Sequence, residues 1–538
     1  MLVIGKSAKG TGGIDAAGAE QDEVVAFLCD PASWSVQPDR IEHIETHGAH
    51  VFLAGDQALK IKRAVRYSYM DFSTLEKRWL ACERETEINR RFAPRIYLGA
   101  VPIVRKPSGA LAVGGPGVIV EWAVSMRRFD QDAMLSQLAR RDGLTPQIIK
   151  SLAAVVLASH RVAELNKLGS GVSWLRSSVA DISHTLIGCD EANIRQLATE
   201  FRSRANLALN RCADQLDRRQ TLGFVRRCHG DLHLNNIVLI DGKPTLFDAI
   251  EFDEQLATID TLYDLAFLLM DLDAADRRSE ANLLLGHYLW LSGSTADLEG
   301  LRALPLFLAL RAAIRAMVGL QRSAVAGHGP TDHVTRAPLD YLTRAVCYLE
   351  TRQPRLIAIG GFSGSGKSAL ATALAPRLGA APGALDLRSD QERKSLFGAG
   401  ETERLPSNAY TSDVSAAVYS RLLERARVAL DAGHSVIVDA VFSDPSKRDA
   451  LEAIARDRGI AFNGLWLTAT PETVTRRIRA RQNDASDATP EVAMTQLAKG
   501  PGLLSWFVVE ADDSPAVVLG RATALLQLDP PRTREPGI

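Results

Sequence analysis

The chain has 538 residues, 46% of them hydrophobic and 24% charged, with a formal net charge of −1. Such a length exceeds what one core supports and implies roughly two to four domains, while the near-neutral charge excludes a general pull toward nucleic acid or a lipid surface. Six scattered cysteines without a C-x-x-C pair exclude a disulfide framework or zinc module and place the chain in the cytoplasm.

Residues 1–39 read as a Gly/Ala/Ser-rich tail, loosely attached to about residue 20, followed by a lead-in helix. The apolar start at Met1 is too short for a signal peptide. Residues 40–125 carry short strands. His50–Leu53, a Gly55–Asp56 turn and Ala58–Lys62 form a hairpin with Lys60 and Lys62 on one face. A charged helix spans about Ser73 to Phe92 and stops before Pro94, and Val118–Val124 is a further strand. Helical periodicity dominates 126–350, with one start marked by Thr145 and Pro146. Only segment 224–253 interrupts it. The apolar run around 304–320 is broken by Arg311 and Arg315, which argues against a membrane span. From 351 to 538 strands alternate with amphipathic helices, the pattern of a doubly wound parallel sheet.

Two stretches carry chemistry. The first is His229-Gly-Asp-Leu-His-Leu-Asn-Asn236, followed after the Asp241–Gly242 turn by Pro244–Asp248. Kinase-type phosphoryl transfer needs an aspartate to take a hydroxyl proton, an asparagine a few residues on to hold magnesium, and a second aspartate on the next hairpin arm. Asp231, Asn236 and Asp248 have that order and spacing, with Asn235 the alternative if the loop slips by one residue. The stretch resembles the aminoglycoside phosphotransferase-like branch of the kinase fold, with its H-G-D-x-x-x-x-N pattern and later aspartate. The resemblance extends over roughly 40–350 and implies an α+β bilobal domain, an N-lobe at 40–125 and a helical C-lobe at 126–350. It implies Asp231 as catalytic base and Asn236 and Asp248 as metal ligands, with His229 supporting the loop. Lys60 would hold the nucleotide phosphates with Glu85 as its helix partner, and Glu121–Val124 would be the strand facing adenine. Lys62 competes with Lys60, and Glu83 and Glu87 with Glu85. No G-x-G-x-x-G loop precedes Lys60; Thr46–His50 stands there instead. Acids crowd the stretch after Asp248 (Glu251, Asp253, Glu254, Asp260, Asp264, Asp271, Asp273) and read either as a pocket for a cationic or polyhydroxylated acceptor or as a solvated face with one helix cap.

The second stretch is Gly361-Phe-Ser363-Gly364-Ser365-Gly366-Lys367-Ser368, which matches G-x-x-x-x-G-K-[ST] between an apolar strand and a helix with leucines at 370, 374 and 378. The glycines let backbone N–H groups curl around phosphate, Lys367 reaches the outer phosphates and Ser368 sits on magnesium. Pro376 requires this helix to kink or end near Thr372–Ala375. Asp439 ends the strand Val436–Val438, where a magnesium partner belongs. Asp390, beyond Leu385–Arg388, is placed to take a substrate proton or to cap a helix. Arg477 and Arg481 share a helical face and are the choice for a lid that neutralises the transferring phosphoryl group. This region resembles the gluconate kinase, polynucleotide 5′-hydroxyl kinase and zeta-toxin-like group.

The whole resembles a bacterial fusion of an aminoglycoside phosphotransferase-like domain with a P-loop kinase-like ATPase domain. It implies ATP and Mg²⁺ as cofactors, a small-molecule acceptor with a hydroxyl group, and two ATP–Mg sites. The alternatives are a P-loop half that hydrolyses or senses ATP to regulate a single kinase, a kinase-like half that only binds, and a nucleic-acid 5′-hydroxyl kinase. The neutral charge argues against the last.

Overall fold

The computed structural model describes residues 14–35, 37–46, 48–67, 70–165, 171–325, 336–481 and 484–528. The chain divides into two compact units, Met1–Ala275 with Phe307–Val346, and Asp276–Leu306 with Cys347–Ile538.

The first unit is built on an antiparallel sheet of six strands, β1 (Ile41–Glu45), β2 (Ala49–Ala54), β3 (Gln57–Lys62), β4 (Tyr97–Arg105), β5 (Leu111–Val113) and β6 (Val118–Arg127), in the order β1-β2-β3-β6-β4-β5. The β2–β3 hairpin turns at Gly55 and Asp56, with Ala54 opposite Gln57. Helix Leu75–Arg90 starts at Thr74, whose hydroxyl accepts from the Lys77 N–H, and it buries Cys82, Glu85, Ile88 and Asn89. The lead-in helix is Ile14–Cys29, so the expected loose tail falls on residues 1–13, outside the described residues, and no further than that. Its Val24 and Leu28 pack with Trp34, Phe52, Ile61, Ile103 and Ala123 in one apolar cluster. Its Gln21 donates to the Lys62 carbonyl (2.8 Å) and to Glu121 (2.9 Å). Helix Pro146–Val162 begins at Thr145 with Pro146 in its first turn, as the sequence predicts. Helices Val172–Ile187, Ala192–Thr221 and Thr261–Ala274 follow, with the hairpin β7 (Ile237–Ile240) and β8 (Lys243–Leu246) set between the last two.

Stretch Thr295–Gln321 is long and apolar enough to cross a membrane, but most of it is buried inside the protein. Its arginines are absorbed there. The Arg311 guanidinium lies over the Tyr263 ring at 3.9 Å, and Arg315 pairs with Asp271 at 3.3 Å. That is the packing of a core helix.

The second unit carries a parallel sheet of β9 (Arg355–Gly361), β10 (Leu385–Arg388), β11 (Val436–Asp439), β12 (Ala461–Thr468) and β13 (Phe507–Glu510), in the order β10-β11-β9-β12-β13. Ile357, Ile359, Leu370, Leu374, Ile437, Leu465 and Val518 share its core. The helix after the glycine-rich loop, Lys367–Leu374, gives way to a 3₁₀ turn at Ala375–Arg377, where Pro376 removes a donor. The expected helical lobe 126–350 is not continuous. Helix Arg278–Ser292 belongs to the second unit, where Asn282 donates to the Ala384 carbonyl (2.9 Å), Trp290 to the Gln391 carbonyl (3.1 Å), and Arg425 to the Leu289 carbonyl (3.3 Å). Helical periodicity reports a buried face but not which core it faces.

Candidate active sites

In the first unit, the loop holding Asp231 is braced from beneath. Gly230 takes φ +84°, and a Cβ there would stand 3.0 Å from Ile250 Cδ1, so only glycine serves without strain. The N–H groups of His229 and Gly230 donate to Asp264 at 3.3 and 2.9 Å, and that of Leu234 donates to Asp271 at 2.9 Å. Asp264 is fully buried and also meets His160 Nε2 at 3.1 Å. His160, Cys228 and Asp264 cluster closely enough to suggest a metal site, but these bonds, with the Cys228 thiol on the Ile259 carbonyl (3.6 Å), make the cluster a brace. The acids after Asp248, read either as a pocket or as a solvated face, are likewise dispersed. Asp260 pairs with buried Arg219 at 2.7 Å, Asp253 caps a short helix, and Asp273 faces Arg344 at 3.8 Å.

Asn236 Nδ2 donates to the Asp231 carbonyl and carboxylate at 3.0 and 3.2 Å, leaving its Oδ1 for a cation, while Asn235 is exposed. His233 accepts from the Asn235 N–H at Nδ1, so its Nε2 carries the hydrogen and stands 3.4 Å from Asp231 Oδ2. Burial around the loop would raise the Asp231 carboxyl, yet His233 outweighs it and holds the group well below its usual range. His229 Nε2 meets the Phe247 carbonyl at 2.9 Å, and burial pushes its pKa down, which keeps it neutral.

Asp248 sits at φ +58°, an uncommon place for a residue other than glycine. Three side chains hold that conformation: His229 on the Phe247 carbonyl, Tyr97 Oη accepting the Asp248 N–H (3.2 Å), and Asn89 Oδ1 accepting the Ala249 N–H (2.8 Å). Lys60 Nζ donates to Asp248 at 2.7 Å and to Glu85 at 2.8 Å. Lys62 also reaches Glu85 (2.6 Å) and pairs with Glu251, so both candidate lysines share one glutamate and only Lys60 extends to Asp248. Burial opposes the charge on Lys60, but Asp248 and Glu85 raise it well above the usual lysine range. Burial likewise pushes Glu85 up, and the two lysines override it and pull it well down. Glu87 lies outside, on Arg84 at 2.9 Å. One expectation shifts. The Glu121–Val124 strand, expected to face adenine, is paired on the β4 side throughout and on the β3 side at Ala123 and Val124, which leaves only Glu121 and Trp122 unpaired on that side. The chain leaves the sheet only after Arg127. The β1–β2 turn is closed on itself, with the Thr46 N–H on the Ala49 carbonyl (2.8 Å) and the Ala49 N–H on Thr46 Oγ1 (3.0 Å).

In the second unit, Ser363–Leu370, Ser389, Asp390, Asp439, Arg477, Arg481, Asp484 and Ser486 are among the residues lining a cavity of about 250 Å³. Gly364 turns at φ +84°, and a Cβ there would stand 2.9 Å from Val474 Cγ1. Ser368 Oγ donates to Asp439 Oδ2 at 2.5 Å, and Lys367 Nζ donates to the Phe362 carbonyl at 3.1 Å. Burial lowers the Lys367 pKa, and burial together with Asp439 raises that of Asp390. Asp390 lies in the first turn of helix Ser389–Leu396 and is not its cap; that position belongs to Arg388. Arg477 and Arg481 both line the cavity but differ. Arg477 donates to the Ser365 carbonyl (3.1 Å) and the Ala511 carbonyl (2.6 Å), whereas Arg481 lies past the end of helix Pro471–Arg479 and keeps a buried Nη1 without a partner. Ser365 Oγ is also buried without a partner. An orphaned hydroxyl on the glycine-rich turn and an orphaned guanidinium nitrogen lining the same cavity, beside a lysine and a Ser–Asp pair, fit a nucleotide's phosphates with a magnesium ion.

Sequence reasoning missed the braces: Asp264 and Asp271 under the loop, Tyr97 and Asn89 beside Asp248, and Asp487, which accepts from Lys394 (2.8 Å), Tyr410 (2.5 Å) and the Leu405 N–H (3.1 Å). Each pairs residues far apart in the chain, and no local pattern marks them.

Residues 356–501 match a family model described as an AAA domain. Among solved structures, the chain is similar to a choline/ethanolamine kinase family protein from Mesorhizobium loti (15% identity, TM-score 0.38, 62% of this chain and 95% of that one). It is also similar to a sugar kinase from Janibacter sp. HTCC2649 (22% identity, TM-score 0.26, 33% of this chain and 97% of that one). The uncharacterized protein Rv2004c of Mycobacterium tuberculosis H37Rv is 32% identical over 471 residues, 85% of this chain and 89% of that protein, and a Mycobacterium bovis protein, Mb2027c, matches equally. The chain belongs to the family of these mycobacterial proteins, and in it a unit built on an antiparallel sheet is joined to one whose parallel sheet carries the glycine-rich loop.

Proposed function

We propose that the protein is an ATP-dependent phosphotransferase acting on a hydroxyl of a small molecule, with an ATP–Mg site in each half. The observation that carries the reading is the cavity of the second unit, where Lys367, the Ser368–Asp439 pair, Asp390 and the unpartnered Arg481 Nη1 line one space. There Ser368 and Asp439 would hold magnesium, which neutralises phosphate charge when bound. Lys367 and Arg481 would steady the outer phosphates. Asp390, its pKa raised by burial and by Asp439, would take the acceptor's proton. In the first half Asp231 would do so, with Asn236 and Asp248 on the metal and Lys60, held by Glu85, on the nucleotide.

The test is phosphate transfer from ATP across a metabolite library by Asp231→Ala and Lys367→Ala, assayed separately. Each should erase a different activity. If both single variants match the parent on every substrate, the reading is wrong.

A further inference from the structure

Helix Pro490–Lys499 sends one side chain into the glycine-rich loop: Gln496 Oε1 accepts the backbone N–H of Ser363 at 2.9 Å. Ser363 is buried, so this N–H needs a partner. Its place in the loop is informative. Lys367 Nζ rests on the carbonyl of Phe362, the residue just before Ser363. A P-loop lysine serves the outer phosphates, so the Phe362–Ser363 limb is the outer-phosphate end of the loop, while the N-terminus of helix Lys367–Leu374 is the inner end. Gln496 therefore occupies a donor at the end where only a triphosphate extends. Helix Pro471–Arg479 grips the same loop without covering such a donor. Arg477 donates to the Ser365 carbonyl, and Val474 and Ile478 pack against Gly364.

Resting on the reading of this loop as a nucleotide site, we propose that Gln496 is a positioning residue that sets triphosphate against diphosphate. Its carboxamide holds the Ser363 N–H until a terminal phosphate takes that donor, and it is released together with its helix when the triphosphate binds. A diphosphate does not reach this donor and leaves the contact intact. No bond is made or broken covalently; one hydrogen bond is exchanged for another.

The test is titration of the full chain with ADP–Mg and a non-hydrolysable ATP analogue with magnesium, in a Lys60→Met background that weakens the first site. Gln496→Ala removes the competitor and should tighten the ATP analogue about fivefold, the worth of one hydrogen bond, while ADP stays within about twofold. Gln496→Glu sets a negative charge at the terminal phosphate and should weaken the analogue about tenfold or more, again sparing ADP. Affinities for the two nucleotides that move together, or not at all, overturn the proposal. Lys367→Ala in the same background is the control. If it binds both nucleotides as its parent does, the nucleotide reading of the loop fails, and the proposal with it.

Discussion

The two candidate sites differ in how their charges are held. In the first unit Lys60 and Lys62 are engaged by three carboxylates, Glu85, Asp248 and Glu251, in a closed cluster assembled from β3, helix Leu75–Arg90 and the segment after β8. In the second the polar groups face a cavity, and two of them, Ser365 Oγ and Arg481 Nη1, have no protein partner. A closed cluster must exchange ion pairs to admit a nucleotide; an open cradle only has to fill. The first site also lacks a glycine-rich clamp, since its β1–β2 turn spends its Thr46 and Ala49 amides internally. The comparison teaches that fixed backbone donors pre-organise the second site, whereas the first depends on side chains that are already engaged.

The largest expected effects break the two sites apart. Lys367→Ala should lower turnover at the second site on the order of 10³-fold, and Asp231→Ala should do the same at the first, each sparing the other, as read by product formation with each half's acceptor. Next comes the closed cluster. Glu85→Ala leaves two buried lysines without their shared carboxylate and should cost the first unit about 3–5 kcal/mol, measured as a shift of its denaturant midpoint. The transition of the second unit should not move.

This difference also governs what the sequence reveals. The glycine-rich loop is contiguous, and its strand, turn and helix follow from residues within about fifteen positions of one another, so Gly361 to Ser368 and the helix end before Pro376 are readable. The order Asp231, Asn236, Asp248 is readable because one loop and one hairpin carry it. Lys60 is separated from Asp248 by 188 positions, and nothing local separates Lys60 from Lys62, which share Glu85. The pairing of the strand expected to face adenine is hard to read for a related reason. An apolar run such as Val118–Val124 looks the same whether its backbone is free on one side or paired on both, and here it is a central strand. Helix Arg278–Ser292 is correctly read as a helix but assigned to the wrong unit, because periodicity does not name the partner core.

A smaller effect separates the units by pH. His434, in the second unit, is fully buried with an unpartnered Nε2, and burial pulls its pKa to about 4 from an ordinary 6.5. The unfolded chain takes up this proton below about 6.5 and the folded one only below about 4, so the stabilising contribution is complete above 6.5 and is lost as pH falls toward 4. The loss at pH 4 should be about 3 kcal/mol, confined to the second unit's transition, and His434→Gln should flatten that part of its stability curve.

The smallest effect tests how the first site holds Asp248, its proposed metal ligand. Tyr97 Oη is the acceptor for the Asp248 N–H, and Asp248 occupies φ +58° only because Tyr97, Asn89 and His229 hold the backbone on either side. Tyr97→Phe keeps the ring in its buried place and deletes one oxygen, so the first unit should lose only about 1 kcal/mol. The freed carboxylate should show in function instead. The magnesium concentration needed for half-maximal activity of the first site should rise severalfold, with that of the second unchanged. An equal rise at both sites would mean that the hydroxyl acts through general stability rather than through Asp248.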